Sequence, residues 1–456
     1  MRSSPMKFAK PSDTVVMEDI MHRHMEQDVQ LLYESEGKVT ADSAAKIIDF
    51  EMEKRHHSVT VKPDILSRKP ELIVEYTDPL EGFKGWAVIH ALSHKLCAGG
   101  VRVQKGLTLD CVRDLARNMT IKMLIAGIRA DGAKCGIDYD PHSPGKKEAL
   151  YRFIRAIRPY VLERYSLGPD LNTTMCELDD IAERLSIPAV KMAIANAQGF
   201  DLPSFLNRYK ILKQPFGHAT VGRLRAGFGL AAACQGVLEF MNIPPQEATV
   251  AIQGFGGLGS AAAYTLHEAG IKVIAVSDEE KSLISTNGQS LDIKGMLPTT
   301  TNCGTGLIPR SETNGRYGDT SQIYDVKCDV FIPAAIENAI TADNADTIPI
   351  KAVVPGANLS VTPEAEKMLI DRGIIIIPDF VAGCGGSLSM DGLFGPETEP
   401  SAQEVLTHVS KRMRKIVKRV IKRSHQDGVT TREAALRLCS EASIYPEARP
   451  YGQLGK

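Results

Sequence analysis

The chain lacks the cysteine spacing of a disulfide framework or of a structural zinc site. Its nine cysteines are scattered over 456 residues, and none of them forms a C-x-x-C pair. An odd number of scattered cysteines is typical of reduced thiols in a large intracellular protein. Cys135 and Cys384 lie in glycine-rich stretches, but no base accompanies either one, which argues against a nucleophilic role. We therefore predict no metal site and no disulfides.

Long hydrophobic runs and a strong net charge are also missing. The chain has no run of about 18 apolar residues that could span a bilayer. Its first stretch, MRSSPMKFAKPSDTVVMED, has no hydrophobic core of a signal peptide. The formal net charge is -1, which favours no polyanionic partner. We therefore expect a cytoplasmic protein that binds neither membranes nor nucleic acid, with enough chain for two or three domains.

Basic residues are concentrated in one run, VSKRMRKIVKRVIKRS, at residues 409–424. Five apolar side chains within it recur at the offsets of one helical face, namely Met413, Ile416, Val417, Val420 and Ile421. The pattern predicts an amphipathic helix whose basic face meets solvent, with nucleic-acid binding as the alternative. The N-terminal 60 residues also read mainly as helix, most clearly in EDIMHRHMEQDVQLLYESE.

A βαβ unit is predicted in the middle of the chain. The stretch EATVAIQGFGGLGSAAAYTLHEAGIKVIAVSDEE begins as a β-branched strand, passes through glycines into an alanine-rich helix and returns to a strand. Gly254, Gly256 and Gly259 form G-x-G-x-x-G, and Asp278 ends the second strand. Such glycines let a pyrophosphate approach the helix N-terminus, and the acid accepts hydrogen bonds from the adenosine ribose. The spacing therefore predicts a dinucleotide site.

The predicted cofactor is NAD. Asp278 is followed by Glu279 and Glu280, and no arginine lies nearby to receive a 2′-phosphate, which disfavours NADP without excluding it. Short apolar runs at 329–335, 352–358 and 373–386 read as further strands that deliver loops to the cofactor crevice, although their small ends could also be simple turns. The residues predicted to contact the cofactor are Gly254, Phe255, Gly256, Gly257, Leu258, Gly259, Asp278, Ala334, Ala335 and Asn358.

Two lysines stand in unusually apolar surroundings. The stretch MTIKMLIAGIRADGAKCG, residues 119–136, reads as a buried helix that runs into a glycine-rich turn, and it carries Lys122 and Lys134. A single lysine in such a stretch is ordinarily a surface residue whose stem packs on apolar neighbours. The pair needs support from its surroundings before a functional role is assigned.

Eight motifs in a fixed order resemble the glutamate/leucine/phenylalanine/valine dehydrogenase superfamily. They are AGGVR (98–102), MTIK (119–122), GAKCG (132–136), GPDLNT (168–173), IQGFGGLG (252–259), CDVFIPAAIENAIT (328–341), VVPGAN (353–358) and IIPDFVAGCGG (376–386). The resemblance implies an α/β fold: an N-terminal α/β substrate domain, a Rossmann-type doubly wound dinucleotide domain, and C-terminal helices that return to the substrate domain. We expect these parts at residues 1–215, 216–390 and 391–456.

The resemblance also implies a reaction and its residues. The family oxidatively deaminates an L-amino acid to a 2-oxo acid and ammonia, or runs the reverse reductive amination, as a homo-oligomer. Lys122 matches the family lysine that holds the substrate α-carboxylate, Lys134 matches the catalytic lysine, and Asp170 matches the catalytic aspartate. The chemistry needs a cation to orient the Cα–H bond, an ammonium of lowered pKa and a carboxylate that moves protons.

The substrate side-chain positions depart from the glutamate-specific members. Those members have a lysine before the first glycine pair and a serine after the last pair, whereas this chain has Ala98 and Met390, with Ser387 and Ser389 close by. Leucine and phenylalanine members are apolar at both positions. We therefore expect an uncharged L-amino acid as substrate, with glutamate as the alternative. The predicted substrate contacts are Ala98, Gly99, Gly100, Lys122 and Met390.

Three other departures concern catalysis. The family's hinge threonine is Ala226, the asparagine before the final glycines is Gly383, and Asp131 and Cys135 replace glycines around Lys134. Asp131 could pair with Lys134 and alter its pKa. A catalytically weak, dinucleotide-binding regulatory subunit therefore stays open as an alternative to an enzyme.

Overall fold

The computed structural model of the protein describes residues 68–297 and 314–452, which form two large sheets and one short hairpin. The helix predicted within the first 60 residues lies outside this part of the chain. The first sheet has the order β1-β2-β4-β3-β5. Its strands are β1 Leu72–Thr77, β2 Lys84–Ile89, β3 Cys97–Gln104, β4 Asp131–Asp138 and β5 Tyr165–Pro169. β3 runs parallel to β4 and β5, whereas β2 is antiparallel to β1 and β4.

Six helices and the hairpin accompany the first sheet. They are α1 Leu109–Ala126, α2 Lys146–Ala156, α3 Arg158–Glu163, α4 Met175–Arg184, α5 Ala193–Gln198, α6 Leu202–Lys210, β6 Pro215–Phe216 and β7 Ala219–Thr220. α1 begins where the Thr108 side chain accepts a hydrogen bond from the Cys111 N–H, and it ends at Gly127, whose φ of 69° is left-handed.

The two faces of the first sheet differ because successive side chains in a strand alternate. On one face Val101, Cys135 and Leu167 pack with α2, α3 and α4 in a buried apolar core. The other face carries small and charged residues, and α1 covers part of it. A Cβ on Gly132 would overlap the backbone of Thr120, so this glycine lets α1 lie directly on β4. The rest of this face forms the floor of the candidate site.

The second sheet has the order β11-β10-β9-β8-β12-β13-β14. Its strands are β8 Thr249–Gln253, β9 Lys272–Ser277, β10 Ser282–Ser285, β11 Gly315–Gly318, β12 Cys328–Pro333, β13 Ile350–Val353 and β14 Ile375–Ile376. Its helices are α7 Val221–Phe240, α8 Gly257–Glu268, α9 Ile293–Met296, α10 Ala342–Ala345 and α11 Pro363–Asp371. Strands β9, β8, β12, β13 and β14 are parallel. The order reverses between β8 and β12, which is where doubly wound sheets bind ligands.

The C-terminal helices return to the first sheet, as predicted. They are α12 Asp379–Ala382, α13 Gly385–Phe394, α14 Ala402–Asp427 and α15 Thr431–Ser440. The five apolar residues predicted for one face of α14 are all buried. The basic face of α14 is only partly exposed to solvent, because two of its arginines contact α1. Arg412 donates to the carbonyl of Ala126 and Arg419 to the carbonyl of Ile125, each at 3.1 Å. These carbonyls are at the C-terminal end of α1, where helix carbonyls need partners.

Two predicted elements differ from the structure. The turn predicted around Lys134 is strand β4, which pairs with β2 and β3, and its glycines serve close packing. Of the strand predicted at 373–386, only Ile375–Ile376 pairs, because helix α12 starts directly after Pro378. In the part of the chain that the structure describes, no helix is long and apolar enough to cross a membrane.

Candidate active site

The floor of the candidate site is built by alternation along three parallel strands. Arg102 and Gly100 point to the same side of β3, and register with β4 and β5 places Lys134 and Asp170 on that side as well. Lys134 Nζ lies 2.8 Å from Asp170 Oδ1. Arg102 Nε donates to Asp170 Oδ2 at 2.7 Å. The structure therefore brings together the two residues predicted to be catalytic, and adds Arg102.

Burial and neighbouring charges shift the pKa values of both Asp170 and Lys134. Burial by itself raises the pKa of Asp170, but the cations Lys134 and Arg102 outweigh burial and hold that pKa below its ordinary range. Burial lowers the pKa of Lys134, Arg102 and Lys122 lower it further, and Asp170 only partly compensates. Asp170 is thus an ionised proton acceptor, next to an ammonium that gives up its proton more readily than an exposed lysine does.

Sequence reasoning missed Arg102 as a site residue. The arginine is 5% exposed, and its Nη1 donates to Gln104 Oε1 at 3.2 Å and lies 3.8 Å from the exposed Glu337. A signal was present, because Arg102 follows Gly100, a predicted substrate contact, by two positions, and residues two positions apart share a face wherever the chain is a strand. What the sequence lacked was the pairing of β3 with β5, which places Asp170 beside it.

Lys122 lies on α1 and reaches the second sheet. Its Nζ donates to Asn358 Oδ1 at 3.2 Å, and Asn358 follows β13. The contact joins a predicted substrate residue to a predicted cofactor residue across the cleft between the two sheets. A Cβ on Gly383 would lie 2.9 Å from Lys122 Nζ, so the glycine that replaces the family's asparagine leaves room for the ammonium.

Cys384 packs beside Lys122 without reactive character. Its Sγ donates to the carbonyl of Phe380 at 3.1 Å and lies 3.6 Å from the carbonyl of Lys122. Burial raises the pKa of this thiol to about 12. Burial likewise raises the pKa of the Cys135 thiol to about 12, and Cys135 faces the apolar core rather than the cleft. Neither thiol has the lowered pKa that a nucleophile needs.

The predicted pairing of Asp131 with Lys134 is wrong. Asp131 Oδ1 lies 3.0 Å from His94 Nδ1, and Asp131 Oδ2 accepts the His94 backbone N–H at 2.7 Å. Asp131 and Lys134 are three residues apart in one strand, so their side chains point to opposite faces. The carboxylate that acts on the pKa of Lys134 is Asp170.

The predicted substrate side-chain positions lie in different surroundings. Ala98 is buried on the floor, two residues before Gly100. Met390 is buried in the main apolar core. The polar atom at this end of the cleft belongs instead to Ser389, whose Oγ accepts from Arg225 Nη1 at 2.9 Å. The sequence points to Ser389 only as a neighbour of Met390, and it does not point to Arg225.

The adjacent glycines of β3 allow this close assembly. A Cβ on Gly99 would overlap the carbonyl of Ala133 on β4, and a Cβ on Gly100 would lie 2.8 Å from Asp170 Cβ. Both glycines therefore keep β3 against its neighbours. The floor next to Asp170 consists of backbone, which leaves room for a substrate.

The predicted cofactor turn fits a dinucleotide. Gly254 has a φ of 96°, and a Cβ on Gly259 would overlap the Gly254 carbonyl, so these two glycines make the turn and the close packing. A Cβ on Gly256 would meet no atom within 4 Å, which leaves space for a phosphate. No side chain caps the start of α8, and its first N–H groups suit an anion.

The other predicted cofactor residues surround this turn. Phe255 is buried in the core, Leu258 is half-buried, Ala334 lies next to Gln253, and Ala335 is exposed. Asp278 follows β9, and its Oδ1 accepts the N–H groups of two residues in the next turn at 2.9 Å each. The carboxylate is therefore fixed at the strand end where a ribose is expected.

Comparison with known proteins decides the family. Residues 221–443 match the model for glutamate/leucine/phenylalanine/valine dehydrogenase, and residues 70–186 match the model for the dimerisation domain of Glu/Leu/Phe/Val dehydrogenases. The chain belongs to this family. Glutamate dehydrogenase of Thermotoga maritima is 31% identical over 70% of this chain and 76% of its own length. NAD-specific glutamate dehydrogenase of Staphylococcus aureus is 32% identical over 67% of this chain and 70% of its own length.

Solved structures share the fold of this dehydrogenase. The hetero-hexameric glutamate dehydrogenase of Thermus thermophilus, in a leucine-bound form, covers 95% of this chain and 97% of its own, with a TM-score of 0.64 and 22% identity. L-Tryptophan dehydrogenase of Nostoc punctiforme covers 83% of this chain and 96% of its own, with a TM-score of 0.54 and 18% identity. At these identities the likeness concerns the fold alone.

The predicted fold class is confirmed, and the predicted enzyme class, an oxidoreductase acting on CH–NH2 donors, is confirmed at the level of the family. The predicted NAD agrees with relatives that are named NAD-specific. Both sequence relatives described above are named glutamate dehydrogenase. They lend no support to the leaning towards leucine or phenylalanine members that Ala98 and Met390 suggested.

Proposed function

We propose that this dehydrogenase oxidatively deaminates an L-amino acid to a 2-oxo acid and ammonia with NAD, and catalyses the reverse reductive amination. The buried cluster of Lys134, Asp170 and Arg102 carries the proposal. It lies on the floor of a cleft that Lys122 and Asn358 bridge. The cleft thus joins acid–base groups to a dinucleotide crevice, as a hydride transfer from an amino acid requires.

Substrate binding follows from the charges of the cleft. Lys122 exchanges Asn358 for the substrate α-carboxylate, which turns the Cα–H bond towards the second sheet. Asp170 pairs with both Lys134 and Arg102, and Lys122 lies near enough to Lys134 to lower the pKa of Lys134, so an incoming carboxylate offsets an excess of positive charge. The turn of Gly254, Gly256 and Gly259 would hold NAD, which would supply the acceptor for the α-hydride, and loss of that hydride would convert the substrate amine to an iminium.

Lys134 and Asp170 then handle the water and the protons. Water adds to the iminium carbon, and Asp170 accepts the proton that this water releases. Lys134 stabilises the oxygen of the resulting carbinolamine with its ammonium. Asp170 passes its proton to the amine, and the C–N bond breaks as ammonia leaves. The carbinolamine hydroxyl gives its proton back to Asp170 as the carbonyl of the 2-oxo acid forms. The low pKa of Asp170 keeps it ready to accept a proton at rest.

Arg102 is expected to position and charge-stabilise Asp170. Removing an adjacent cation raises a carboxyl pKa by about 1 to 3 units. In Arg102→Met the acid limb of the kcat/KM pH profile should therefore move to higher pH by that amount, because Asp170 then becomes protonated at a higher pH. Arg113, an exposed arginine on α1, provides the control variant Arg113→Met, which should leave the limb in place. An unmoved acid limb in Arg102→Met would remove Arg102 from this role.

Asp278 is expected to set the choice of dinucleotide. A carboxylate binds a ribose hydroxyl and repels a 2′-phosphate. Asp278→Ser should raise the KM for NAD roughly tenfold, in line with one hydrogen bond to a charged group, and should narrow the preference over NADP. Asp278→Asn keeps an acceptor for the turn N–H groups and controls for loss of the turn. A wild-type protein that uses NADP better than NAD would contradict this assignment.

Other predictions join the proposal. We propose a substrate domain at residues 1–215, a dinucleotide domain at 216–390 and a returning C-terminal segment at 391–456. We also propose a homo-oligomer in the cytoplasm that binds no nucleic acid.

Two alternatives remain as outcomes of the test. An uncharged substrate is favoured by the apolar Ala98 and Met390. A regulatory subunit is favoured by the altered hinge at Ala226, and the assembled Lys134–Asp170 pair argues against it.

Two panels of assays test the proposal, both followed by the absorbance of reduced nicotinamide. The first supplies L-amino acids with NAD, and the second supplies 2-oxo acids with ammonia and reduced NAD. We expect turnover with at least one amino acid and its 2-oxo acid. A purified, folded protein that turns over no member of either panel would contradict the proposed reaction and favour the regulatory alternative.

A further inference from the structure

A third lysine, Lys191, is buried beside the candidate site. It follows Val190, whose carbonyl accepts the Leu167 N–H, so this segment runs along the outer edge of β5. Lys191 is 4% exposed, and its Nζ donates to the carbonyl of Leu167 at 2.9 Å. A Cβ on Gly168 would lie 3.3 Å from Lys191 Nζ. Gly168 shares its face with Asp170, so the Lys191 ammonium stands over the floor of the site, roughly 7 Å along β5 from Asp170.

Arg225 of α7 faces the same end of the cleft. Its Nη1 donates to the Gly386 carbonyl and to Ser389 Oγ, each at 2.9 Å, and its Nε donates to the Gly222 carbonyl. Arg225 is close enough to Lys191 to lower the pKa of the lysine.

Neither cation has a carboxylate partner in the described ranges, 68–297 and 314–452. The acid that acts on Lys191 is Asp179, but Asp179 Oδ1 accepts from the Tyr209 hydroxyl at 2.8 Å and its Oδ2 lies 2.9 Å from Lys213 Nζ. Burial and then Arg225 lower the pKa of Lys191 to about 7, and Asp179 opposes them only weakly. Lys191 is buried and Arg225 is half-buried, so two cations here without a counter-charge are costly unless an anion enters between them.

Lys191 places an ammonium near the point where the glutamate-specific members of the family have a lysine, which is position 98 on β3. Ala98 pairs with Ser166 on β5, and Gly168 lies two residues further along on the same face. An ammonium next to Gly168 therefore lies on the same face of the sheet as the side chain of a lysine at position 98 would. Ala98, Gly100 and Gly168 are all small, which leaves a path for a substrate side chain from Asp170 towards Lys191.

We propose that Lys191 and Arg225 bind the side-chain carboxylate of a dicarboxylic L-amino acid, or of its 2-oxo acid, and so replace the lysine absent at Ala98. The inference rests on the proposed function, because it assigns the substrate class of the same cleft. It also revises the expectation of an uncharged substrate. That expectation assumed that the charge partner must come from position 98 or 390, whereas the structure supplies cations from the segment beside β5 and from α7.

The ratio of kcat/KM for L-glutamate to kcat/KM for L-leucine tests the assignment. Removing one partner of a buried charge pair costs enough to lower this ratio about 30-fold or more in Lys191→Met. Lys146→Met removes another largely buried lysine, one that pairs with Glu177, and should leave the ratio unchanged. Adding Ala98→Lys to Lys191→Met returns an ammonium to the floor and should recover part of the ratio.

The pH dependence provides a second readout. The charged groups around Lys191 are Arg225 on α7 and Asp179 on α4, and Asp179 is bound by Tyr209 of α6. A carboxylate binds the protonated lysine, so the KM for glutamate should rise above pH about 7, by up to tenfold per pH unit. The KM for leucine should lack this rise, and the rise for glutamate should vanish in Lys191→Met.

Failure of this assignment is distinguishable from failure of the proposed function. A wild-type protein that prefers leucine, or a ratio that Lys191→Met leaves unchanged, overturns the carboxylate site while the reaction stands. If the wild-type protein turns over no amino acid, the proposed reaction fails, and calorimetric binding of L-glutamate decides the site alone. Binding that is lost in Lys191→Met and kept in Lys146→Met supports it, and equal binding by all three proteins overturns it.

Discussion

Asp170→Asn is expected to lower kcat at least about 100-fold and to leave the affinity for NAD nearly unchanged. The amide has almost the shape of the carboxylate, but its single oxygen can accept from only one of Lys134 and Arg102, which bind different oxygens of Asp170, and the amide cannot take up the proton of the attacking water. The dinucleotide turn lies on the other sheet, so the change does not reach it. Saturation kinetics give kcat, and fluorescence titration gives the NAD affinity.

The matched control for this variant is Glu337→Gln. Glu337 also lies near Arg102, at 3.8 Å, but its side chain is 55% exposed and solvent screens its charge. Its loss should change kcat less than about twofold, since exposed pairs contribute little. Full activity in Asp170→Asn would remove this carboxylate from the proton transfers.

Lys134→Met is expected to lower kcat by about 10² to 10⁴, with a much smaller effect on the substrate KM. Lys134 is buried against Asp170, and its ammonium is needed when charge develops on the carbinolamine oxygen rather than when substrate binds. Methionine fills a similar volume without the charge, so the core around the site keeps its packing. Steady-state kinetics with the best substrate of the panel separate kcat from KM.

Lys122→Met provides the contrast. Lys122 holds the substrate carboxylate in the proposed mechanism, so its loss should raise the substrate KM at least tenfold, in line with a charged hydrogen bond. A Lys134→Met protein that loses only substrate affinity, with kcat intact, would show that the two lysines have been assigned the wrong roles.

The chemistry at the strand ends was predictable where it depends on spacing along the chain. The spacing predicts a turn at Gly254, an open position at Gly256 and a close packing contact at Gly259. The structure shows these surroundings at all three glycines. Lys134 and Asp170 came from the family resemblance, and alternation in β4 and β5 then places both on one face.

Residues that depend on pairing between distant elements were missed. Arg102 reaches Asp170 because β3 lies between β4 and β5, a strand order that no local pattern specifies. Lys191 and Arg225 come close enough to interact electrostatically because the chain after Val190 covers the edge of β5, and this proximity is not specified by any local pattern. A partial signal was available for Lys191, which stands in the apolar stretch SIPAVKMAIANA much as Lys122 and Lys134 stand in theirs.

Proximity in the sequence also predicted the wrong partner for Asp131. Asp131 and Lys134 are near in sequence, and the turn predicted for them would have allowed contact. The segment forms strand β4 instead, in which alternation of side chains puts Asp131 and Lys134 on opposite faces. Asp131 therefore forms a hydrogen bond with His94. The expectation of an uncharged substrate depends on positions 98 and 390 alone, whereas a partner for a side-chain carboxylate can also come from elements that are distant in the sequence.

Deuterium transfer tests the central claim most directly. The best amino acid of the panel is supplied with deuterium on its α-carbon, together with wild-type protein and NAD, and the products are analysed by mass spectrometry. The proposed mechanism predicts reduced nicotinamide that carries the deuterium, with one ammonia and one 2-oxo acid formed for each. Reduced nicotinamide without deuterium, or reduced nicotinamide without ammonia, would contradict hydride transfer from an amino acid in this cleft.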